Sequence, residues 1–156
     1  MERTFVMCKP DAVQRQLVGR IVARFEAKGL KIAAMKMLRI STELAQRQYA
    51  VHKGKDFYEP LLTFMTAGPV VAMVLEGNDA VRIVRSMMGS TFGPDAAPGT
   101  IRGDLGVSKR YNLIHGSDSA ESAAHEIGLF FNAEEIQDYE LLAETWLYAA
   151  SGPNRI

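Results

Sequence analysis

At 156 residues, with 47% hydrophobic and 23% charged side chains, the chain has the length and composition of one globular domain with a real core. Its 18 basic and 18 acidic residues cancel to zero formal charge, which excludes a global electrostatic footprint for nucleic acid and requires any phosphate site to come from local clustering of cations. No apolar run approaches the ~20 residues of a membrane span, the N-terminus has no signal-peptide core, and a single cysteine, Cys8, excludes an internal disulfide framework and suits a reducing, cytoplasmic compartment.

In chain order, Thr4 to Cys8 reads as a buried strand ending at Lys9-Pro10. Val18, Ile21, Val22 and Phe25 keep helical spacing, and Gly29 closes that helix. Leu30 to Ile40 suits a second strand, with some helical character because Lys, Ala and Met are weak strand formers. Thr42 is placed to cap a helix through about Val51, whose faces are set by Leu44, Gln48 and Val51, and Glu59 to Met65 forms another. Gly68-Pro69 breaks the chain before Val70 to Leu75, an unbroken apolar run that suits a central strand. Asp79 is then placed to cap a helix with Ala80, Val81, Val84, Met87 and Met88 on one face.

From Gly89 to Tyr111 the chain is rich in Gly and Pro and has little periodicity, and a loop that long is uncommon without a function. Leu113-Ile114 reads as a strand end, followed by His115 and by Gly116, which permits close backbone approach or an unusual turn. Asp118 with Glu121 resembles a capping box opening the next helix. Asn132 with Glu135 resembles another, opening a late helix that includes Leu141, Leu142 and Trp146. With no linker and no internal repeat, residues 1–156 read as one domain. The order of elements is the βαββαβ pattern of an α+β, ferredoxin-like fold, a four-stranded antiparallel sheet covered by helices.

The glycine-rich phosphate cradles G-x-x-x-x-G-K-[ST] and G-x-G-x-x-G are both absent, so any handling of nucleotide phosphates falls to side chains. His115 is the candidate nucleophile. A histidine held between a strand end and a helix start can present one ring nitrogen to a ligand while the other is fixed, and near neutral pH it offers a lone pair without a strong base. The three histidines, 52, 115 and 125, have no metal-ligand spacing, and His125 reads as exposed and without a role.

The segment Asn112-Leu113-Ile114-His115-Gly116-Ser117-Asp118 closely resembles the active-site segment of the nucleoside diphosphate kinase family. The likeness extends over most of the chain, in order and spacing. It includes Arg3-Thr4-Phe5-Val6-Met7-Cys8-Lys9-Pro10-Asp11, Gly68-Pro69-Val70-Val71-Ala72-Met73-Val74, Pro98-Gly99-Thr100-Ile101-Arg102-Gly103-Asp104 and Glu126-Ile127-Gly128-Leu129-Phe130-Phe131.

The resemblance implies a ping-pong transfer of the γ-phosphate of a nucleoside triphosphate, usually ATP, to a nucleoside diphosphate through a phosphohistidine on His115. It implies attack by Nδ1, with Nε2 donating to a backbone carbonyl and Glu126 and Ser117 bonded around the ring and its phosphate. Lys9, Arg85 and Arg102 match phosphate and sugar contacts, Thr91 a phosphate contact, and Asn112 with Lys9 the ribose contacts. Phe57 matches the ring on which the base stacks, a platform that discriminates little between bases. His52 matches a position near the phosphates and Tyr49 one near the catalytic histidine. Magnesium is implied as an ion that arrives with the nucleotide and keeps several waters. The family forms homo-oligomers, and the segment Leu141 to Ile156 resembles the hexameric members more than the tetrameric ones.

Two departures stand out: Asp56-Phe57-Tyr58 where the family commonly has Pro-Phe-Phe, and Gly93 in place of a common proline, with Pro94 beside it. Two rival readings keep the scaffold without the chemistry. One is an RNA-recognition-type module, whose aromatic signature is missing; the other is an oligomeric scaffold that has lost catalysis, although every matched residue is present.

Overall fold

The computed structural model describes residues 1–148. The strands are β1 (Glu2–Cys8), β2 (Lys31–Arg39), β3 (Pro69–Gly77) and β4 (Ile114–Gly116). They form one sheet in the order β2-β3-β1-β4, with every pair antiparallel. The helices are α1 (Pro10–Gln14), α2 (Val18–Ala27), α3 (Thr42–Gln48), α4 (Tyr58–Thr66), α5 (Ala80–Met88), α6 (Ile101–Leu105), α7 (Ala120–Phe130) and α8 (Glu144–Leu147), with short 3-10 turns at Ala50–His52, Gly93–Asp95 and Ala133–Glu135. This is the expected α+β, ferredoxin-like arrangement.

The unbroken apolar runs of β1 and β3 follow from their central position, since both sheet faces are covered. Val6 and Cys8 of β1 and Val71, Met73 and Leu75 of β3 pack under α1, α2 and α5. Phe5 and Met7, with Val70, Ala72 and Val74, pack on the opposite face against α3, α4 and α7. Alternation continues into β4. Ile114 belongs to the first core, whereas His115, paired with Met7, lies on the second face with its ring centroid 6.0 Å from that of Phe5. Gly116 is required by packing, because a Cβ there would lie 2.5 Å from Met88 Sδ and 3.2 Å from Val84 Cγ1.

The helix starts differ from the expected ones in ways that the hydrogen bonds explain. α3 is capped by Ser41, whose Oγ accepts from Leu44 N–H, and the helix ends at Gln48, leaving Val51 exposed in the following turn. α7 is capped by Ser119, whose Oγ accepts from Ser122 N–H; Asp118 instead accepts from the Ser122 hydroxyl. Asp79 has a left-handed backbone (φ 54°) in place of the extended one a cap needs, and it pairs with Arg82. The free N–H of Val81 is taken by Glu2 from β1.

The long segment after Gly89 is not wholly a loop: it contains α6, capped by Thr100. The capping box at Asn132 and Glu135 is present, but it opens only a 3-10 turn. The chain then runs beside the bulge of β2, where Gln137 N–H donates to Ala33 O and the Tyr139 hydroxyl donates to Ile32 O. These contacts hold it extended, so Leu141 and Leu142 lie outside α8, which Trp146 joins. The end of the segment that resembled hexameric members, 149–156, lies outside the described residues.

Candidate active site

The backbone around the histidine is unusual. Leu113 has φ 71°, and Ile114 N–H donates to Asn112 O at 2.8 Å, closing a γ-turn around a bulky residue. Such a conformation stores about 1–3 kcal/mol of strain and persists only when its surroundings over-determine it. Here they do. Leu113 N–H donates to Asp11 Oδ2 (3.0 Å), Lys9 N–H donates to Leu113 O (2.9 Å), and the Leu113 side chain is fully buried.

Arg102 completes the clamp. It is buried, and its guanidinium donates to the carbonyls of Ile114 (2.7 Å), Asn112 (3.1 Å), Gly89 (3.1 Å) and Ser90 (3.4 Å). Four of its five N–H groups are thus used by backbone, and among the described residues one Nη2 hydrogen is left without a partner. The sequence expectation matched Arg102 to phosphate and sugar contacts. In the structure it also pins the turn that presents His115.

Two clusters meet across this turn. In the first, buried Lys9 donates from Nζ to Asn112 Oδ1 at 2.8 Å, and Asn112 Nδ2 donates to Thr91 O at 2.9 Å. Lys9, Asn112, Thr91 and Arg102 therefore form one connected group. Arg85 stands beside it, exposed, with Nη1 3.4 Å from Gly116 O.

The second cluster surrounds the ring. His115 Nε2 is hydrogen-bonded to Glu126 Oε2. A carboxylate oxygen accepts, so Nε2 carries the proton and Nδ1 keeps the lone pair. The resemblance implied a backbone carbonyl at Nε2; the partner is Glu126 instead, because α7 packs on β1 and turns that buried carboxylate to the ring. The Tyr49 ring stands perpendicular to that of His115 (6.1 Å, 90°), and His52 lies between Tyr49 (6.4 Å) and Phe57 (5.1 Å). Phe57 is half exposed, with Lys55 over its ring.

Ser117 is the predicted residue that goes elsewhere. It is fully buried, and its hydroxyl is engaged with the Phe5 backbone, accepting from N–H at 3.3 Å and donating to O at 3.4 Å. It ties β4 to β1 and, among the described residues, forms no hydrogen bond with the ring. Gln48 and Asp11 are the residues that sequence reasoning passed over. Gln48 is buried with its amide against Glu126, yet in sequence it looks like any polar position on a short helix.

The electrostatics favour an anionic ligand. Burial, and secondarily the charge of Arg102, lowers the Lys9 ammonium to about 8 against the partial opposition of Asp11. Arg102 is lowered to about 10 by burial and by Arg85, so it stays cationic at neutral pH. Among the described residues neither group is ion-paired with a carboxylate, the condition in which a phosphate is bound strongly. Burial raises Tyr49, aided by the Glu126 charge, and pushes the Cys8 thiol to about 12, so Cys8 is inert. A groove of about 470 Å³ running from Arg85 and Asp118 to the start of α5 is of mixed charge, with the carboxylates Glu2, Asp79 and Asp118 facing Arg82 and Arg85.

Lys9 makes stability and ligand affinity respond oppositely to alkali. Its folded value lies below its ordinary 10.5, so between about 8 and 10.5 the unfolded chain binds more protons and stability rises with pH. Over the same range the cation that would meet phosphate is lost. The dissociation constant for ADP, measured by calorimetric titration, is expected to weaken about tenfold from neutral pH to about pH 9, on the scale of one charged hydrogen bond. The same titration on Lys9→Met should be flat. A parent protein with pH-independent affinity would exclude Lys9 as a phosphate contact.

Comparisons with known proteins point the same way. The nucleoside diphosphate kinase family model matches residues 2–136. A nucleoside diphosphate kinase of Kosmotoga olearia is 56% identical over 144 residues, covering 92% of this chain and 98% of its own. One of Archaeoglobus fulgidus is 54% identical, covering 95% and 98%. Among solved structures, a halophilic nucleoside diphosphate kinase from Halobacterium salinarum in complex with CDP superposes with a TM-score of 0.93 at 54% identity, covering 94% of this chain and 98% of its own. A family member from Babesia bovis gives 0.92 at 44% identity, covering 95% and 100%.

Proposed function

The chain belongs to the nucleoside diphosphate kinase family, and from that premise we propose that its reaction runs through a phosphohistidine on His115. It is a phosphotransferase that moves the terminal phosphate of a nucleoside triphosphate to a nucleoside diphosphate. The single observation that carries the assignment is the hydrogen bond between Glu126 and Nε2, which leaves the lone pair on Nδ1.

In the first half-reaction the Nδ1 lone pair attacks the γ-phosphorus. An N–P bond forms, the bond from that phosphorus to the β-γ bridging oxygen breaks, and the diphosphate leaves with the bonding pair. In the second, a terminal oxygen of another diphosphate attacks the same phosphorus and the electron pair returns to Nδ1. One site serves both steps, so the kinetics are ping-pong. Little covalent work is asked of the protein beyond positioning and charge. Lys9, Arg85 and the free edge of Arg102 meet the phosphate oxygens, with Thr91 beside them. Asn112 and Lys9 meet the ribose, Phe57 carries the base, Tyr49 shapes the ring's surroundings, and His52 backs Phe57. Ser117 acts by holding β4 in register.

Magnesium fits this site only as an ion carried by the nucleotide. The described residues contain no group of three or more His, Cys, Asp or Glu able to hold a metal, and the cations Lys9, Arg85 and Arg102 suit phosphate oxygens. When bound to those oxygens, the ion would neutralise charge that develops in transfer. We also infer a cytoplasmic homo-oligomer of single-domain chains, hexameric in preference to tetrameric. Its support is the edge strand β2, with Met35 51% and Met37 62% exposed, and the apolar side chains Phe92, Val107 and Tyr111 exposed around α6.

Incubation with ATP labelled in its terminal phosphate tests the reading. Bound label should be acid-labile, alkali-stable and discharged by any added nucleoside diphosphate. Acid-stable label, or none on a folded sample, would exclude the phosphohistidine.

A further inference from the structure

We propose that Gln48 is a positioning residue for phosphoryl transfer: its side-chain amide holds the Glu126 carboxylate so that Oε2 receives the Nε2–H of His115. The proposal rests on the reading of His115 as the nucleophile.

Gln48 is the last residue of α3 and is buried. Its Nε2 lies 2.7 Å from Glu126 Oε2 and 3.3 Å from His115 Nε2. The two nitrogens do not bond to each other, since the amide nitrogen offers no lone pair and the ring Nε2 is protonated. They are two donors converging on one oxygen. The amide's orientation is dictated chemically, because the reversed one would set Gln48 Oε1 against the carboxylate, acceptor against acceptor.

The arrangement has a price that packing alone does not explain. With its amide turned to Glu126, Gln48 leaves Oε1 buried and, among the described residues, without a partner. A side chain present only to fill space would be better apolar, since an unsatisfied buried acceptor destabilises the fold. The orphaned oxygen is what remains when the amide is committed to the carboxylate.

The chemical consequence is local. Without the amide, Oε2 is held, among the described residues, from the ring side alone, and the carboxylate is free to rotate away from Nε2. The imidazole then loses what distinguishes its two nitrogens, and part of the population carries its proton on Nδ1, the atom that must attack. Residue 48 thus acts through Glu126 on the tautomer of His115, and it never meets the nucleotide.

The test is Gln48→Met, which keeps length and helix preference but removes the donor, with Gln48→Leu used if the first does not fold by circular dichroism. In the folded variant kcat should fall about tenfold, the rate equivalent of one lost charge-assisted hydrogen bond. The nucleotide KM should stay within about twofold, because no substrate contact is removed. Long-range proton–nitrogen spectra of the His115 ring should show Nε2–H alone in the parent and a new Nδ1–H population in the variant, a change that loss of packing would not cause. A kcat within about twofold of the parent, or an unaltered tautomer, overturns the proposal. Acid-labile label on the parent, measured alongside, separates the two possible failures. Absent label removes the nucleophile, whereas label with an unaffected variant removes only the role of Gln48.

Discussion

Alanine at position 115 is expected to abolish both half-reactions, lowering kcat on the order of 10³-fold or more while the chain stays folded. The His115 ring is partly exposed, perpendicular to that of Tyr49 and 6.0 Å from that of Phe5, so its removal opens a small hollow at the site rather than a cavity in either core. Nucleotide binding should survive, because Lys9, Asn112, Arg102 and Phe57 are held by contacts that do not pass through the ring. The measurement is twofold: acid-labile label from ATP, expected to vanish, and ADP affinity by calorimetry, expected to remain within a few-fold. Transfer persisting well above background would mean that another group is phosphorylated.

Methionine at position 102 should damage stability and catalysis together, and that coupling distinguishes the structure from the sequence expectation. A residue that only met phosphate would cost about 2.7–4 kcal/mol of barrier and little stability. Arg102 donates to four backbone carbonyls on both sides of the strained Leu113 turn. Their orphaning should lower unfolding free energy by about 3 kcal/mol or more, read as a reduced urea midpoint at unchanged slope. Activity should fall about 10²–10³-fold because the turn that presents His115 relaxes and a cation is lost. Arg102→Lys keeps the charge but not the planar fork, so it should recover little of either quantity. A full catalytic loss with an unchanged urea midpoint would return Arg102 to a phosphate role alone.

Much of this protein is written locally and could be read without coordinates. The apolar runs Thr4 to Cys8 and Val70 to Leu75 are strands because both sheet faces bury them, and the 3.6-residue spacing in α2 and α5 marks single buried stripes. The order of these elements contains the fold, and the blocks around Lys9, Arg102 and His115 carry the resemblance to the family. What tertiary structure decided lies between residues far apart in the chain. Asn132 opens only one turn because Gln137 and Tyr139 bond to the bulge of β2, about a hundred residues earlier. Leu113 takes a left-handed backbone that no leucine prefers, since Asp11, Lys9 and Arg102 hold the peptides around it. Gln48 finds Glu126, 78 residues away, only when α3 and α7 share a sheet face. Spacing along a chain encodes helices and strands because their hydrogen bonds and faces repeat over a few residues. The tautomer of one histidine depends on side chains that nothing but the packed sheet brings together.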